Sequence, residues 1–388
     1  MLSYHKNGIL SLVIDIQSGI VRGSLVCLES QEKPNLIYIV HKHIENNGKI
    51  DGVNMMRTMV STLSEVIDLV VREGVGRAKS IGFENAKIDN IHYILSSPWI
   101  ISESKTVKIE YEQDTEITEA IVKKMIDDEQ SSFIKKYQKE NIQDEYEFDL
   151  SFIEQKIFAI RLNGYSVQQY KNKKTRKLEV SFAVTLSSNH ILDKIKEATK
   201  KIINVKKESY HSALLLHYVS LRSLIPNQEE YVSLHVHGEL TDIVIVKKGV
   251  SSYLASFPFG IMTLVRRLSQ EGKINIESAK STISMYVDNK LDDAERLRIE
   301  KIINTIVTDW QKECLEIFNK AGENSLVPRV IYLSLANYMD IFRQILSLTK
   351  FEVISFDDSI VDNVVHFEKI SERSPLMGMY AFALNDMI

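Results

Sequence analysis

The chain has 388 residues, 44% of them hydrophobic, enough for several buried cores and two or three domain-sized units. A formal net charge of -4 offers no global field for nucleic acid, so none is expected as a partner. Two cysteines, Cys27 and Cys314, sit in unlike contexts and suggest free thiols in a reducing compartment, neither a disulfide framework nor a thiolate metal site. The apolar run after Met1 to Asn7 is cut by Asp15 too early for a signal peptide. The apolar stretch from Ala213 to Leu224 is broken by His217 and Arg222 and falls short of the roughly 18 residues that a membrane span needs. The expectation is a cytoplasmic protein whose membrane association is indirect. Glycine is scarce, 15 residues in the chain, against a usual share of about 7%.

In chain order, Ile9 to Ile16 predicts a buried strand, Gln17-Ser18-Gly19 a turn, Ile20 to Cys27 a second strand and Leu36 to Val40 a third. Asp51 reads as the cap of a long helix with Met56, Met59, Val60, Leu63, Ile67 and Val70 at helical spacing, ended by Gly74 and Gly76. The region from Ile91 to about Thr185 reads as an inserted module. It opens with a buried-looking strand at Ile91 to Leu95. Then come an alternating strand through Val107, Ile109 and Tyr111, a helix from Thr118, a strand through Phe158, Ile160 and Leu162, and a strand through Leu178, Val180, Phe182 and Val184. Two helices follow, one with Ile191, Ile195 and Ile202 and the other from Ala213 to Leu224, and Pro226 marks a lobe boundary.

Beyond Pro226 the opening pattern returns. Strands are predicted at Tyr231 to His237, Asp242 to Lys247 and Ser251 to Phe257, with a turn at Gly238-Glu239 and a helix from Gly260 to about Glu271. This reads as a duplication of architecture carried by element order. Ile276 to Ala321 is helical, Val330 to Leu335 a buried strand, Met339 to Lys350 a helix and Phe351 to Ile354 a strand. Ser374-Pro375 caps a final helix. Strands alternating with helices imply a mixed α/β protein.

Val13-Ile14-Asp15-Ile16-Gln17-Ser18 resembles the first phosphate loop of actin-like ATPases. Leu234 to Ile243 resembles their second phosphate loop and is followed by Phe257-Pro258-Phe259-Gly260; Gly238, Thr241, Asp242, Pro258 and Gly260 match the pattern. The place of the strand-helix-strand-strand insert resembles the FtsA and PilM type, and Pro375 to Leu384 resembles their last, returning helix. The resemblance implies an α/β, actin-like (ribonuclease H-like) two-lobed fold. Its expected divisions are a first lobe at 1–88, the insert at 89–186, connecting helices at 187–228, a second lobe at 229–373 with a helical part at about 272–325, and a C-terminal helix at 374–388.

It also implies a cleft in which Asp15, Ser18, Gly19, Gly238, Thr241, Asp242 and Gly260 would face ATP and Mg. Backbone must approach phosphate closely there, which is why glycine is favoured. Gln17 stands where glycine is usual, His235 replaces an aspartate, His237 and Glu239 replace glycines, and Leu240 replaces a hydroxyl. A carboxylate such as Glu239 beside phosphate costs on the order of 1 to 4 kcal/mol per contact. Leu335-Ala336-Asn337 stands where an adenosine-contacting Gly-Gly is expected. A degenerate site without efficient hydrolysis is therefore expected, and an active actin-fold ATPase or kinase is the rival. Apart from the resemblance, Asp15 also reads as a turn residue capping a strand end, and for Thr241 and Asp242 ordinary hairpin chemistry is the favoured reading.

His235 and His237, two apart on a strand, point to one face, where a pair of polar cleft residues is favoured over a metal site. Lys171, Lys173, Lys174, Arg176 and Lys177 cluster near a hairpin tip and read as a solvated turn, with the acidic stretch Glu140 to Asp149 available to neutralise them.

The function that the resemblance implies is an assembly scaffold that docks peptides. In the PilM type the partner is the cytoplasmic N-terminal segment of a membrane protein, PilN-like, in a type IV pilus machine. FtsA links the division ring to the membrane. The helical stretch between Gly260 and Val330, and the end of the sequence at Ile388 with no anchoring tail, favour the pilus type over the division type. Self-association is left open.

Overall fold

The computed structural model describes residues 9–44, 51–83, 86–140, 149–321, 327–335, 339–347, 350–369 and 373–387. Strands β1 (Ile9–Ile16), β2 (Ile20–Leu28) and β3 (Asn35–His43) form an antiparallel meander, and helix α1 (Gly52–Leu69) follows it. Asp51 caps α1, accepting from the Asn54 amide at 2.8 Å. The helix does not stop at Gly74. It passes through a wide π-turn at Val70–Gly74 into α2 (Val75–Ser80). A Cβ on Gly74 would lie 3.3 Å from Tyr38 and Val70, so this glycine lets the helix lie close to the sheet.

Strand β4 (Asn90–Leu95) pairs parallel with β1, which makes it a central strand of the lobe sheet although it lies in the stretch assigned to the insert. The insert sheet begins at β5 (Ile101–Glu116). It continues through α3 (Glu119–Glu140), β6 (Leu150–Leu162), the short β7 (Tyr165–Val167) and β8 (Lys174–Ser188), in the order β5-β8-β6-β7. Lys171 pairs with Glu119, Arg176 with Asp114 and Lys177 with Glu110, so three of the five basic side chains of the hairpin are paired by β5 and α3. Of the acidic stretch once assigned that role, 141–148 lies outside the described residues. These ion pairs are exposed, so solvent screens them and they add little to stability.

After α4 (Asn189–Lys200) comes β9 (Lys207–Ser212), an edge strand where none was expected, parallel to β4. Its sequence, Lys-Glu-Ser-Tyr-His-Ser, lacks an apolar face, which hides it from periodicity. Helix α5 (Ala213–Leu224) then leads to the second half. That half comprises β10 (Tyr231–Val236), β11 (Thr241–Lys247), β12 (Val250–Phe257), α6 (Ile261–Gly272), α7 (Ile276–Val287), α8 (Asp293–Ala321), β13 (Val330–Leu335), α9 (Met339–Ser347) and β14 (Glu352–Ser355). The chain closes with α10 (Asp358–Val361), β15 (His366–Phe367) and α11 (Pro375–Asn385). Pro375 opens α11 behind Ser374, which accepts from the Met377 amide at 3.3 Å.

The two halves repeat one topology. The first sheet runs β15-β3-β2-β1-β4-β9 and the second β12-β11-β10-β13-β14, so β3-β2-β1-β4-β9 corresponds strand by strand to β12-β11-β10-β13-β14. In both, an antiparallel meander is extended by two parallel strands. Helices α5 and α11 are apolar on nearly every face and lie between the halves. One core takes in Val26 and Leu36 of the first sheet, Val244 and Val246 of the second, and both helices. The insert also touches the second half: β5 runs beside β12, and Ser97 bonds Ser256 at 2.8 Å.

Trp310 of α8 anchors the second core. It is fully buried, stands edge-on to Phe342 and donates to Thr241 Oγ1 at 2.9 Å. We expect Trp310→Ala to lower unfolding free energy by about 3–5 kcal/mol in chemical denaturation, since it leaves both a cavity and a hydroxyl without its donor.

Candidate functional site

The β1–β2 and β10–β11 turns come from equivalent places in the two halves and meet at the centre of the molecule. They are not separated by a cleft. A Cβ placed on Gly19 would lie 2.6 Å from Gly238 Cα, and one on Gly238 would lie 2.4 Å from Gly19 Cα and N. Backbone touches backbone, which only a pair of glycines allows.

Side chains stitch the turns together. The Gln17 amide donates to Asp15 Oδ2 at 2.9 Å within its own hairpin and lies 3.0 Å from His235 Nε2 across the seam. With Gln17 as donor, His235 Nε2 accepts and the ring proton sits on Nδ1. Ser18 Oγ accepts from the Glu239 amide at 2.8 Å and, as donor, reaches His237 Nδ1 at 3.1 Å. His237 Nε2 faces Asp242 Oδ2 at 3.3 Å, Ser256 donates to Asp242 Oδ1 at 2.5 Å, and Ser97 reaches Ser256. The Trp99 indole donates to the Gln17 carbonyl at 3.2 Å.

Two of the three carboxylates of the seam, Asp15 and Glu239, each have an arginine partner. Arg22, opposite Asp15 in the hairpin register, donates to Asp15 Oδ2 at 2.7 Å. Arg266 of α6 grips Glu239 with two nitrogens at 3.0 and 2.5 Å. Burial alone would raise the Asp242 carboxyl, but His237 together with bonds from Ser256 and Ser97 outweighs it and holds Asp242 below its usual range. For Asp15, burial prevails and the carboxyl is pushed up despite Arg22. His235 is driven well below the usual histidine range by burial, with His217 and His237 adding to the effect. His217 of α5 is lowered to about 4, again chiefly by burial; its ring stands edge-on to His235 with centroids 4.8 Å apart, and its Nε2 lies 3.2 Å from the Tyr380 hydroxyl.

Of the residues expected at the site, Asp15, Ser18, Gly19, Gly238 and Asp242 gather in this seam. Thr241 turns away into the second core, donating to the Phe259 carbonyl at 2.6 Å and accepting from Trp310. Gly260 is packed against the β10–β11 turn, where a Cβ would fall 2.2 Å from the His237 carbonyl oxygen. The first amides of α6, which in a phosphate site would face the ligand, are already used: Ile261 donates to His237 O at 3.0 Å and Met262 to Gly238 O at 2.8 Å. Ala336 and Asn337 lie outside the described residues.

As folded, these residues do not fit a magnesium-bound triphosphate. The glycines that would admit phosphate press on each other, and Arg22 stands where the Asp15 carboxylate would meet a metal. His235 and His237 do share a face, with ring centroids 5.3 Å apart. Among the described residues no group of three or more His, Cys, Asp or Glu is arranged to hold a metal ion. Ser18, His237 and Asp242 stand in the order of a hydrolytic relay, but all three are buried, Ser18 completely, and Ser18 Oγ already accepts from the Glu239 amide. Arg22, Arg266 and Trp99 are the residues the sequence reasoning missed. Arg22 left a signal, as the lone charge within the apolar run Ile20 to Leu28.

A concavity lies where the first lobe meets the insert. It is a groove of about 510 Å³ lined mainly by apolar side chains, among them Met55 and Met56 of α1, Trp99, Leu186 of β8, and His190 and Ile191 of α4. Ser187 fixes its floor, donating to the Trp99 carbonyl at 2.8 Å.

No known family pattern matches the sequence, and no characterised protein matches it at sequence level. Solved structures do match. The fold is actin-like: two lobes of repeated topology, with an inserted subdomain in the first. The chain is similar to a PilM–PilN type IV pilus biogenesis complex at 12% identity, covering 98% of both chains with a TM-score of 0.65. It also matches a Bacteroides thetaiotaomicron protein of actin-like ATPase fold and unknown function, at 10% identity over 99% of both chains with a TM-score of 0.42. The ethanolamine utilization protein EutJ from Carboxydothermus hydrogenoformans matches at 10% identity over 96% of this chain and 88% of that one, with a TM-score of 0.43. Overlap at these last two levels adds nothing to the assignment. Among the described residues no helix is long and apolar enough to cross a membrane.

Burial of neutral histidine sets a pH dependence. The unfolded chain takes up protons near pH 6.5, whereas folded His217 does so only near 4, so stability is intact above about 6.5 and lost as the pH falls towards 4. His92, also lowered to about 4 by burial, works in the same direction. We expect the melting temperature to drop across this window, and His217→Gln, which keeps a polar group facing Tyr380, to make the drop shallower.

Proposed function

We propose that this chain is a cytoplasmic actin-like scaffold of a membrane-bound assembly machine, of the PilM pilus-platform kind. It holds a cytoplasmic segment of a membrane partner in the groove between first lobe and insert. The observation that carries this reading is a contrast of two sites. The nucleotide position is filled from within by side chains and touching backbone, while an open groove with two methionines and a tryptophan in its wall lies one step away. Met and Trp suit an apolar peptide anchor, because the thioether adapts to shape and the indole offers a broad flat surface. The whole-chain likeness to a chain of a PilM–PilN pilus biogenesis complex supports the pilus kind, as do the helices α7 and α8 between α6 and β13. Membrane association on this reading is indirect, through the partner.

An FtsA-like role in division remains the second reading, since it uses the same fold and the same insert. Calorimetric titration with the cytoplasmic N-terminal peptide of a PilN-like membrane protein tests the first. We expect saturable micromolar binding, weakened at least tenfold by Met56→Glu, which puts a charge in the groove wall. Absence of binding to that peptide, with binding instead to the tail of a tubulin-like division protein, would assign the division role.

A further inference from the structure

We propose that the seam between the two turns is an internal latch. Its side chains take over the work that a bound nucleotide performs between two such lobes, and they hold the lobes closed whether or not nucleotide is present. This does not depend on which partner fills the groove.

Four observations converge on it. The cross-lobe contact is direct, Gly19 on Gly238, so nothing need be inserted to bring the turns together. Three hydrogen bonds cross it, from Gln17 to His235, from Ser18 to His237 and from the Glu239 amide to Ser18. Groups that would otherwise invite an anion or a cation are committed to partners inside the protein: Asp15 to Arg22, Glu239 to Arg266, and the leading amides of α6 to the carbonyls of His237 and Gly238. The insert closes the same point from outside, because Trp99 and Ser97 tie the base of the insert to the Gln17 carbonyl and to Ser256 of β12. A ligand entering here has to break backbone contact, cross-lobe bonds and at least one buried ion pair together, and a triphosphate brings more negative charge towards Glu239 and Asp242.

The latch also differs from a merely degenerate pocket in being specific. His237 accepts from Ser18 through Nδ1, and the amide oxygen of an asparagine stands at nearly the same reach from the backbone. An alanine there removes the acceptor. The two substitutions therefore separate loss of the cross-lobe bond from loss of an aromatic ring.

Spin labels on Ser61→Cys of α1 and Ser281→Cys of α7, both exposed, report the distance between the lobes. The native Cys27 and Cys314 are buried and escape labelling. We expect one narrow distance distribution in the labelled protein, unchanged by millimolar magnesium ATP. The further double substitution Ser18→Ala with His237→Ala should broaden it and move it to longer distance, whereas His237→Asn alone, with Ser18 intact as donor, should keep the narrow form. Narrowing or shortening by magnesium ATP in the otherwise unaltered protein would overturn the latch, as would a double variant with an unchanged distribution. Should that variant fail to fold, Gln17→Ala serves in its place. Amide exchange at 15–22 and 235–241 should then rise by about tenfold, and unchanged exchange in that variant overturns the proposal equally.

Discussion

The molecule is organised around the contact between Gly19 and Gly238. Two turns from equivalent positions in the repeated halves approach until their main chains touch, and every charged or polar group nearby is arranged around that closeness. A side chain at either position would drive the turns apart, out of reach of the bonds that Gln17 and Ser18 make. Buried polar groups are costly unless matched, and Gln17, Ser18 and the Glu239 amide find part of their match in the other half. The lobes are thus joined twice, by the greasy layer of α5 and α11 and by the polar seam above it.

Much of the architecture could be read from sequence, because its signals are local. The buried strands around Val13, Leu234 and Leu333 are apolar runs of the right length, Asp51 and Ser374 are caps, and the return of element order after Pro226 announces the duplication that strand order displays. Other features were hidden because they depend on neighbours. Strand β9 is held by pairing with β4 and carries no pattern of its own. Strand β4 looks like the start of the insert until its pairing with β1 is seen. The glycines at 74 and 76 resemble helix ends, yet the first is a close approach between helix and sheet.

The site shows the same division. Motif spacing brought Asp15, Ser18, Gly19, Gly238 and Asp242 to one place, but spacing alone could not tell a turn that faces ligand from a turn that faces another turn. Thr241 was misread for a related reason: it alternates correctly along β11, but only the fold reveals that its hydroxyl serves Trp310. Glu239 looked like a charge that would merely repel phosphate. Its partner Arg266 lies 27 residues away on a helix, beyond any local pattern. Trp99 joins the groove to the seam, since it lines the groove while its indole N–H donates to the Gln17 carbonyl. The shape of the groove wall is therefore set partly from the seam.

The strand pairing at the seam has one more implication. Matching rungs in the two hairpins carry opposite polarity: Asp15 faces Arg22 in one, with the acid on the first strand, while His235 faces Asp242 in the other, with the acid on the second. Had both hairpins kept an acid in the earlier strand, the copies would have met acid against acid when brought together. With the acid on opposite strands, each is met within its own hairpin, Asp15 by Arg22 and Asp242 by His237, so the two halves differ at this rung despite their common blueprint.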